Sequence, residues 1–235
     1  MDKDFISTVS HELRTPLTSI RGFSQTMLNS WDKLDDESKK KFLKIIEEQS
    51  NRLIGLVENM LSVTKLQSEK DNFVYKEVCL KSVIEPVIAI LKNTYSTHNF
   101  VFEYNNKTPN VIVDRDKFQQ IMTNLIENAA KYSNENSTVT IKTSPLGECV
   151  SIKVIDNGVG IAPENYEKIF TKFSRIDNPL TRKVQGSGLG LYITKNLVEK
   201  MGGKISVESN SNQTIFEIIM PVKTVEEQAR AKCNQ

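Results

Sequence analysis

The sequence predicts an α+β protein in which a hairpin of two long helices, half of a dimeric four-helix bundle, precedes an α/β sandwich. Two observations support this prediction. Within the first 68 residues, apolar side chains recur at steps of three and four, and no strand pattern interrupts them. Beyond residue 76, helical patterns alternate with short apolar runs that are typical of strands. We therefore divide the chain into a helical domain (1–68), a polar linker (69–76), an α/β domain (77–222) and a polar tail (223–235).

The helical domain contains two amphipathic patterns separated by a polar turn. The first apolar stripe runs from Phe5 to Trp31, and the second runs from Phe42 to Leu61. Either of the two aspartates at 35 and 36 can cap the second helix. Two long helices joined by a short connection form an antiparallel hairpin, which leaves one broad apolar face bare. Pairing of two hairpins would bury that face, so the sequence predicts a homodimer.

The α/β domain contains helical and strand patterns in alternation. The predicted helices span 81–91, 116–132 and 189–201. The predicted strands span 100–104, 111–113, 139–143, 150–155, 205–207 and 215–220. Gly202 and Gly203 end the last helix and separate it from the two closing strands.

Composition excludes several classes of protein. The chain has 31 basic and 29 acidic residues and a net charge of +2, so it lacks the basic stripe of a nucleic-acid-binding protein. Cys79, Cys149 and Cys233 lie far apart without a CxxC pair, which argues against zinc and disulfide frameworks. Free thiols suit a reducing compartment. Since no run of about 18 apolar residues occurs, we expect a cytoplasmic segment without membrane contact, whether or not the full-length protein is membrane-anchored.

His11 is the first residue that points to chemistry. It lies two residues after Val9, about 200° around the helix, and therefore faces away from the apolar stripe. A surface histidine without a function would fit this placement equally well. Its neighbours favour a reactive imidazole, because Glu12 can accept a proton from Nδ1 and the hydroxyl of Thr15 lies one turn away.

The segment around this histidine, SHELRTPL at residues 10–17, resembles the H box of HisKA-type dimerisation and histidine-phosphotransfer domains. The resemblance implies that His11 accepts a phosphoryl group at Nε2. It implies that Glu12 acts as a base and that Thr15 supports the reverse, phosphatase reaction.

Four segments of the α/β domain suggest a nucleotide site. They are NLIENAAKYS (124–133), DNGVGI (156–161), FTKFSR (170–175) and GSGLGL (186–191). Each is weak alone: asparagines on a helix are usually surface residues, Asn-Gly is a common turn, and charged residues beside aromatics usually form a solvated face. The glycine-rich segment matches neither a Walker A loop nor a dinucleotide-binding fingerprint. Their order within about 70 residues makes the combination specific.

This order resembles the N, G1, F and G2 boxes of the GHKL (Bergerat) ATP-binding fold in its histidine-kinase form. The resemblance implies that Asn128 ligates Mg²⁺, that Asp156 accepts the adenine amine, and that Arg175 approaches the γ-phosphate. Residues 176–185 would form the lid over ATP. Lys172 stands where many relatives carry arginine, which keeps the charge but loses a bidentate contact. The implied nucleotide-binding residues are Asn124, Asn128, Lys131, Tyr132, Asp156, Gly158, Gly160, Lys172, Arg175, Gly186, Gly188, Leu189 and Gly190.

Together these resemblances imply a sensor histidine kinase core, which uses Mg-ATP to phosphorylate His11 and passes the phosphoryl group to an aspartate of a response regulator. Ile20 and Phe23 are candidates for the face on which the regulator docks. The alternative is a GHKL ATPase that drives conformational change without phosphohistidine. Glu127 lies near the place of the catalytic glutamate in such enzymes, but that interpretation leaves His11 without a role.

Overall fold

The computed structural model describes residues 3–67, 73–174, 176, 186–210 and 212–222. The chain divides into two compact units, Met1–Gln67 and Ser68–Gln235. We keep the names helical domain and α/β domain for them. Among the described residues, no helix combines the length and the apolar character needed to cross a membrane.

The helical domain is a hairpin of two long helices. Helix α1 spans Lys3–Ser30, and α2 spans Asp36–Gln67. A 3₁₀ turn at Trp31–Lys33 connects them. The cap of α2 is Asp35, because its Oδ1 accepts a hydrogen bond from the amide of Ser38 at 2.7 Å. Hydrogen bonds from the side chain and the amide of Ser38 lower the pKa of the Asp35 carboxyl.

Much of the apolar surface of the hairpin stays open to solvent. The rings of Phe23 and Phe42 pack across the hairpin with centroids 5.1 Å apart, whereas Leu28 is 81% exposed. Exposed apolar side chains on both helices are typical of a surface that packs against a partner, and the predicted dimer would cover them. The large apolar side chains exposed in this domain include Ile6, Leu17, Leu28, Trp31, Leu43, Ile54, Val57 and Leu61.

In the described part of the α/β domain, three α-helices lie against a five-stranded sheet. The elements are β1 (Tyr75–Val78), α3 (Lys81–Thr94), β2 (Asn99–Glu103), β3 (Val111–Asp114), α4 (Arg115–Tyr132), β4 (Thr138–Leu146), β5 (Cys149–Asp156), α5 (Gly190–Lys200), β6 (Lys204–Asn210) and β7 (Gln213–Pro221). The strand order of the sheet is β2-β4-β5-β7-β6; β2 pairs with β4 in parallel, and the other pairs are antiparallel. Strands β1 and β3 form a separate antiparallel pair.

The core of this domain lies between the sheet and its helices. Strand β7 shows the alternation expected of a half-buried strand, with Phe216, Ile218 and Met220 buried. Helix α4 contacts α3, α5 and the central strands, and its apolar face is fully buried. This arrangement confirms the predicted α+β fold class, with a helical hairpin followed by an α/β sandwich.

Strand β1 was not predicted. The predicted linker, 69–76, included Tyr75 and Lys76, but both belong to this strand and pair with β3. The amide of Val74 donates to Asp114 Oδ2 at 2.9 Å, so ordered structure begins before the predicted end of the linker. The reason is that the pairing partner lies about 40 residues along the chain, where no local pattern can indicate it. Strand β1 therefore includes the last two residues of the predicted linker.

Candidate functional site

In the helical domain, His11 lies on α1 with its side chain exposed. Glu12 pairs with Arg52 of α2, with 3.4 Å between Oε2 and the guanidinium nitrogen. The hydroxyl of Thr15 donates to the carbonyl of His11 at 3.3 Å, one turn back along the helix. Glu12 and Thr15 are thus near His11 in sequence, but the polar atoms of their side chains contact Arg52 and the backbone instead of the imidazole.

In the α/β domain, helix α4 presents two amides one turn apart, Asn124 and Asn128. The amide nitrogen of Asn124 donates to Thr194 Oγ1 at 2.7 Å. Asn128 is half-buried, so its side chain keeps some access to solvent.

The donor set around Asn128 fits Mg²⁺. Amide oxygens are hard ligands, and Mg²⁺ usually takes only one or two groups from the protein, together with water and phosphate oxygens. The described residues contain no cluster of three or more histidines, cysteines or carboxylates that could hold a metal ion. A site built on Asn128 would therefore depend on a bound nucleotide for most of its ligands.

Glu127, on the same helix, is engaged by two neighbours. Its Oε1 lies 3.0 Å from the ammonium of Lys131 and accepts a hydrogen bond from the hydroxyl of Tyr95 at 3.3 Å. Burial, followed by the charge of Glu127, raises the pKa of Tyr95. Lys131, predicted to meet phosphate, is therefore paired with a carboxylate in the structure. Tyr132 ends the helix and is 37% exposed.

Asp156 is a buried carboxyl at the end of β5, with 3% of its surface exposed. Burial raises its pKa from 3.8 to about 7, although the hydrogen bond from the amide of Gly158, at 2.9 Å, acts in the opposite direction. A buried carboxyl at the end of a strand, with a pKa of about 7, fits the predicted acceptor of an adenine amine.

The glycines of the DNGVGI segment are required by close backbone contacts. A side chain on Gly158 would collide with the carbonyl of Tyr132, and one on Gly160, whose φ is 71°, would collide with the carbonyl of Asn210. The loop is also tied to the β6–β7 hairpin, because the amide of Ile161 donates to Ser209 Oγ at 2.9 Å. The end of α4 and this hairpin thus fix the loop from both sides.

The FTKFSR and GSGLGL segments meet at the start of α5. Lys172 Nζ lies 5.3 Å from the centre of the Tyr192 ring. Gly188 has a φ of 66°, and a side chain there would meet the backbone of Phe173 at 2.7 Å. Leu189 is fully buried, so only its backbone could face a nucleotide. A side chain added at Gly186 would meet none of the described atoms within 4 Å.

Part of the predicted site lies outside the described residues. Arg175 is not described, and of the predicted lid at 176–185 only Ile176 is described.

Four residues near the site were not predicted from the sequence: Arg52, Tyr95, Thr194 and Ser209. Each acts on a predicted site residue or loop from a distant part of the chain. One signal was available for Thr194: it interrupts the apolar stripe of α5, and a polar side chain in a core stripe needs a hydrogen-bond partner.

Comparison with known proteins places family matches on both domains. The HisKA family, described as the His Kinase A (phospho-acceptor) domain, matches residues 1–69. The HATPase_c family, described as histidine kinase-, DNA gyrase B-, and HSP90-like ATPase, matches residues 113–224.

The curated relatives are sensor kinases. The chain is 34% identical over 229 residues to the sensor protein kinase WalK of Staphylococcus aureus, with 96% of this chain and 55% of that protein covered. It is 35% identical over 218 residues to the histidine-protein kinase ArlS of Staphylococcus haemolyticus, with 92% and 48% covered. The chain thus spans about half the length of these relatives.

Solved structures of histidine kinases share the fold. ThkA in complex with the response regulator protein TrrA matches with a TM-score of 0.75 and 29% identity, covering 94% of this chain and 62% of that one. The catalytic domain of ThkA matches with a TM-score of 0.57 and 30% identity, covering 63% and 96%. AdeS of Acinetobacter baumannii, at 24% identity and a TM-score of 0.72, covers 91% and 98% and shows the fold alone. The alternative of an ATPase without phosphohistidine gains no support from these relatives.

Proposed function

Because the chain belongs to the sensor histidine kinases of two-component systems, we propose that it binds ATP in its α/β domain and transfers the γ-phosphoryl group to His11. One observation carries this proposal. The same chain contains an exposed histidine within SHELRTPL and, in its α/β domain, two glycine loops beside a buried Asp156 whose pKa is about 7. In a protein that only hydrolyses ATP, the exposed histidine motif would have no role.

In the proposed reaction, the lone pair of His11 Nε2 attacks the γ-phosphorus. A P–N bond forms, the bond to the β-phosphate oxygen breaks, and ADP leaves with the electron pair. Glu12, adjacent to His11 on α1, would accept the Nδ1 proton once it leaves Arg52. The protein's contribution is to position the groups and to neutralise charge, because phosphoryl transfer needs little covalent help.

The ligands of the nucleotide follow from the site. Asp156 would accept the adenine amine, and the backbone of the GSGLGL segment and the start of α5 would face the phosphates. Asn128 would hold Mg²⁺, which neutralises phosphate charge when it is bound. Lys131 would reach phosphate by exchanging its ion pair with Glu127 for one with the nucleotide.

We also propose a homodimer and a response-regulator partner. The exposed apolar side chains of the hairpin support dimerisation. ThkA is a relative captured with the regulator TrrA, and this supports transfer from His11 to an aspartate of a receiver domain. Ile20 and Phe23 remain our candidates for the docking face, although the Phe23 ring also packs against Phe42. Thr15 would support the reverse, phosphatase reaction.

The proposal is tested by incubating the chain with ATP labelled at the γ-phosphate. The wild-type protein should acquire label that is stable to base and labile to acid, and His11→Ala should acquire none. The matched control is His98→Ala, which removes the only other histidine of the chain and should label normally. Asn128→Ala should label weakly. Free phosphate released without labelled protein, or full labelling of His11→Ala, would overturn the proposal.

A further inference from the structure

A part-buried hydrogen bond joins the two helices that frame the proposed nucleotide site. Asn124 lies on α4 and Thr194 lies on α5, 70 residues further along the chain. The amide nitrogen of Asn124 donates to Thr194 Oγ1 at 2.7 Å, and Thr194 is only 1% exposed. In this pairing the Thr194 hydroxyl acts as the acceptor, and its burial keeps water from replacing the amide. The amide of Asn124 is thus held with its nitrogen towards Thr194.

The opposite side of the same amide lies against the first residue of α5. A side chain on Gly190 would come within 2.2 Å of Asn124 Oδ1, so any larger residue there would displace the Asn124 side chain. Gly190 and Thr194 are one turn apart and therefore share a face of α5. Asn124 is consequently clamped between them, with its oxygen beside the helix N-terminus, where the partial charge is positive.

This contact connects the two halves of the site. Asn128, the candidate Mg²⁺ ligand, follows Asn124 by one turn of α4, and the start of α5 follows the GSGLGL segment that would face the phosphates. Because the amide of Asn124 bonds to Thr194 and lies against Gly190, it serves as a spacer between the helices. Any shift of α5 along α4 would move the phosphates relative to Asn128.

We propose that Thr194 is a positioning residue for the Mg²⁺–ATP site. It holds the Asn124 amide in one orientation and so sets the position of Asn128 relative to the start of α5. This inference rests on the ATP binding proposed above. Thr194 touches neither metal nor nucleotide in this scheme and acts only through Asn124.

The test measures binding of the non-hydrolysable analogue AMPPNP by calorimetry, once with Mg²⁺ and once with EDTA. Thr194→Val keeps the shape of the side chain but removes the acceptor, and it should weaken binding about tenfold with Mg²⁺, as expected for one buried donor left unpaired. The loss should be smaller in EDTA, because Asn128 then has no metal to place. Thr194→Ser restores the hydroxyl and should bind within about twofold of wild type.

Two further variants separate positioning from general stability. Thr143→Val is the matched control: Thr143, on β4, is also 1% exposed and also accepts hydrogen bonds, but its partners Asn105 and Thr108 lie between β2 and β3 rather than on α4 or α5. It should lower the unfolding temperature without changing AMPPNP affinity. In an Asn124→Ala background, Thr194→Val should change affinity by less than about twofold, because its partner is already absent.

Three outcomes would overturn the inference: unchanged affinity of Thr194→Val, an equal loss with Mg²⁺ and with EDTA, or full additivity with Asn124→Ala. A wild-type chain that fails to bind AMPPNP would instead refute the proposed function, and this inference with it.

Discussion

Protonation of Asp156 should control nucleotide binding near neutral pH. Burial raises the pKa of this carboxyl to about 7, and the ionised form is the better acceptor for the adenine amine. With a pKa near 7, about one tenth of the molecules carry the carboxylate at pH 6 and about nine tenths at pH 8. If only these molecules bind, affinity should be about tenfold higher at pH 8 than at pH 6.

The assay is calorimetric titration with AMPPNP between pH 6 and pH 8. The phosphates of the nucleotide also titrate, so Asp156→Asn, which cannot ionise at this position, serves as the matched control. The ratio of wild-type to variant affinity isolates Asp156, and we expect it to rise about tenfold over this range. A ratio that stays constant with pH would refute the reasoning.

The same pKa has the opposite effect on the stability of the nucleotide-free fold. The folded pKa lies above the ordinary value of 3.8, so the fold holds the proton more tightly than the unfolded chain does. The resulting stabilisation is complete below pH 3.8 and is lost as the pH rises through about 7. The difference between the two pKa values corresponds to about 4 kcal/mol in the free energy of unfolding. Asp156→Asn should therefore raise the unfolding temperature more at pH 8 than at pH 5, and an equal rise at both would contradict the assigned cause.

Two further predictions concern glycine packing and helix capping. Gly190→Ala should weaken AMPPNP binding by about tenfold or more, because the added carbon displaces Asn124. The matched control is Gly55→Ala on α2, where an added carbon meets nothing within 4 Å and binding should stay normal; equal effects of the two variants in calorimetry would contradict this prediction. Asp114→Ala should lower the free energy of unfolding by about 1 to 2 kcal/mol, because this buried side chain caps α4 and accepts the amide of Val74; denaturant unfolding that shows no loss would contradict it.

The fold was predictable wherever a local pattern decides it. The two long helices follow from the spacing of apolar residues, and strand β7 follows from its alternation. Strand β1 fails that condition, because only Val78 of its four residues is buried. Its structure depends on pairing with β3 and on the hydrogen bond to Asp114, which are contacts with a distant segment.

The site shows the same division. The glycine segments and Asp156 are recognisable because a turn, a close approach and a strand end each demand particular residue types at fixed spacing. The Asn124–Thr194 and Glu12–Arg52 pairs join residues 70 and 40 positions apart, and helix periodicity does not indicate which side chains meet across two helices. Such contacts require the tertiary structure.

The most direct test of the central claim is to locate the phosphoryl group after incubation with Mg-ATP. Trypsin should release residues 4–14, which contain His11 together with Ser7, Thr8 and Ser10. Mass spectrometry of the digest, kept at alkaline pH to preserve phosphohistidine, should find the added phosphoryl group on His11 of this peptide. A phosphoryl group on a hydroxyl side chain, on His98, or on no residue while ATP is consumed would contradict the account.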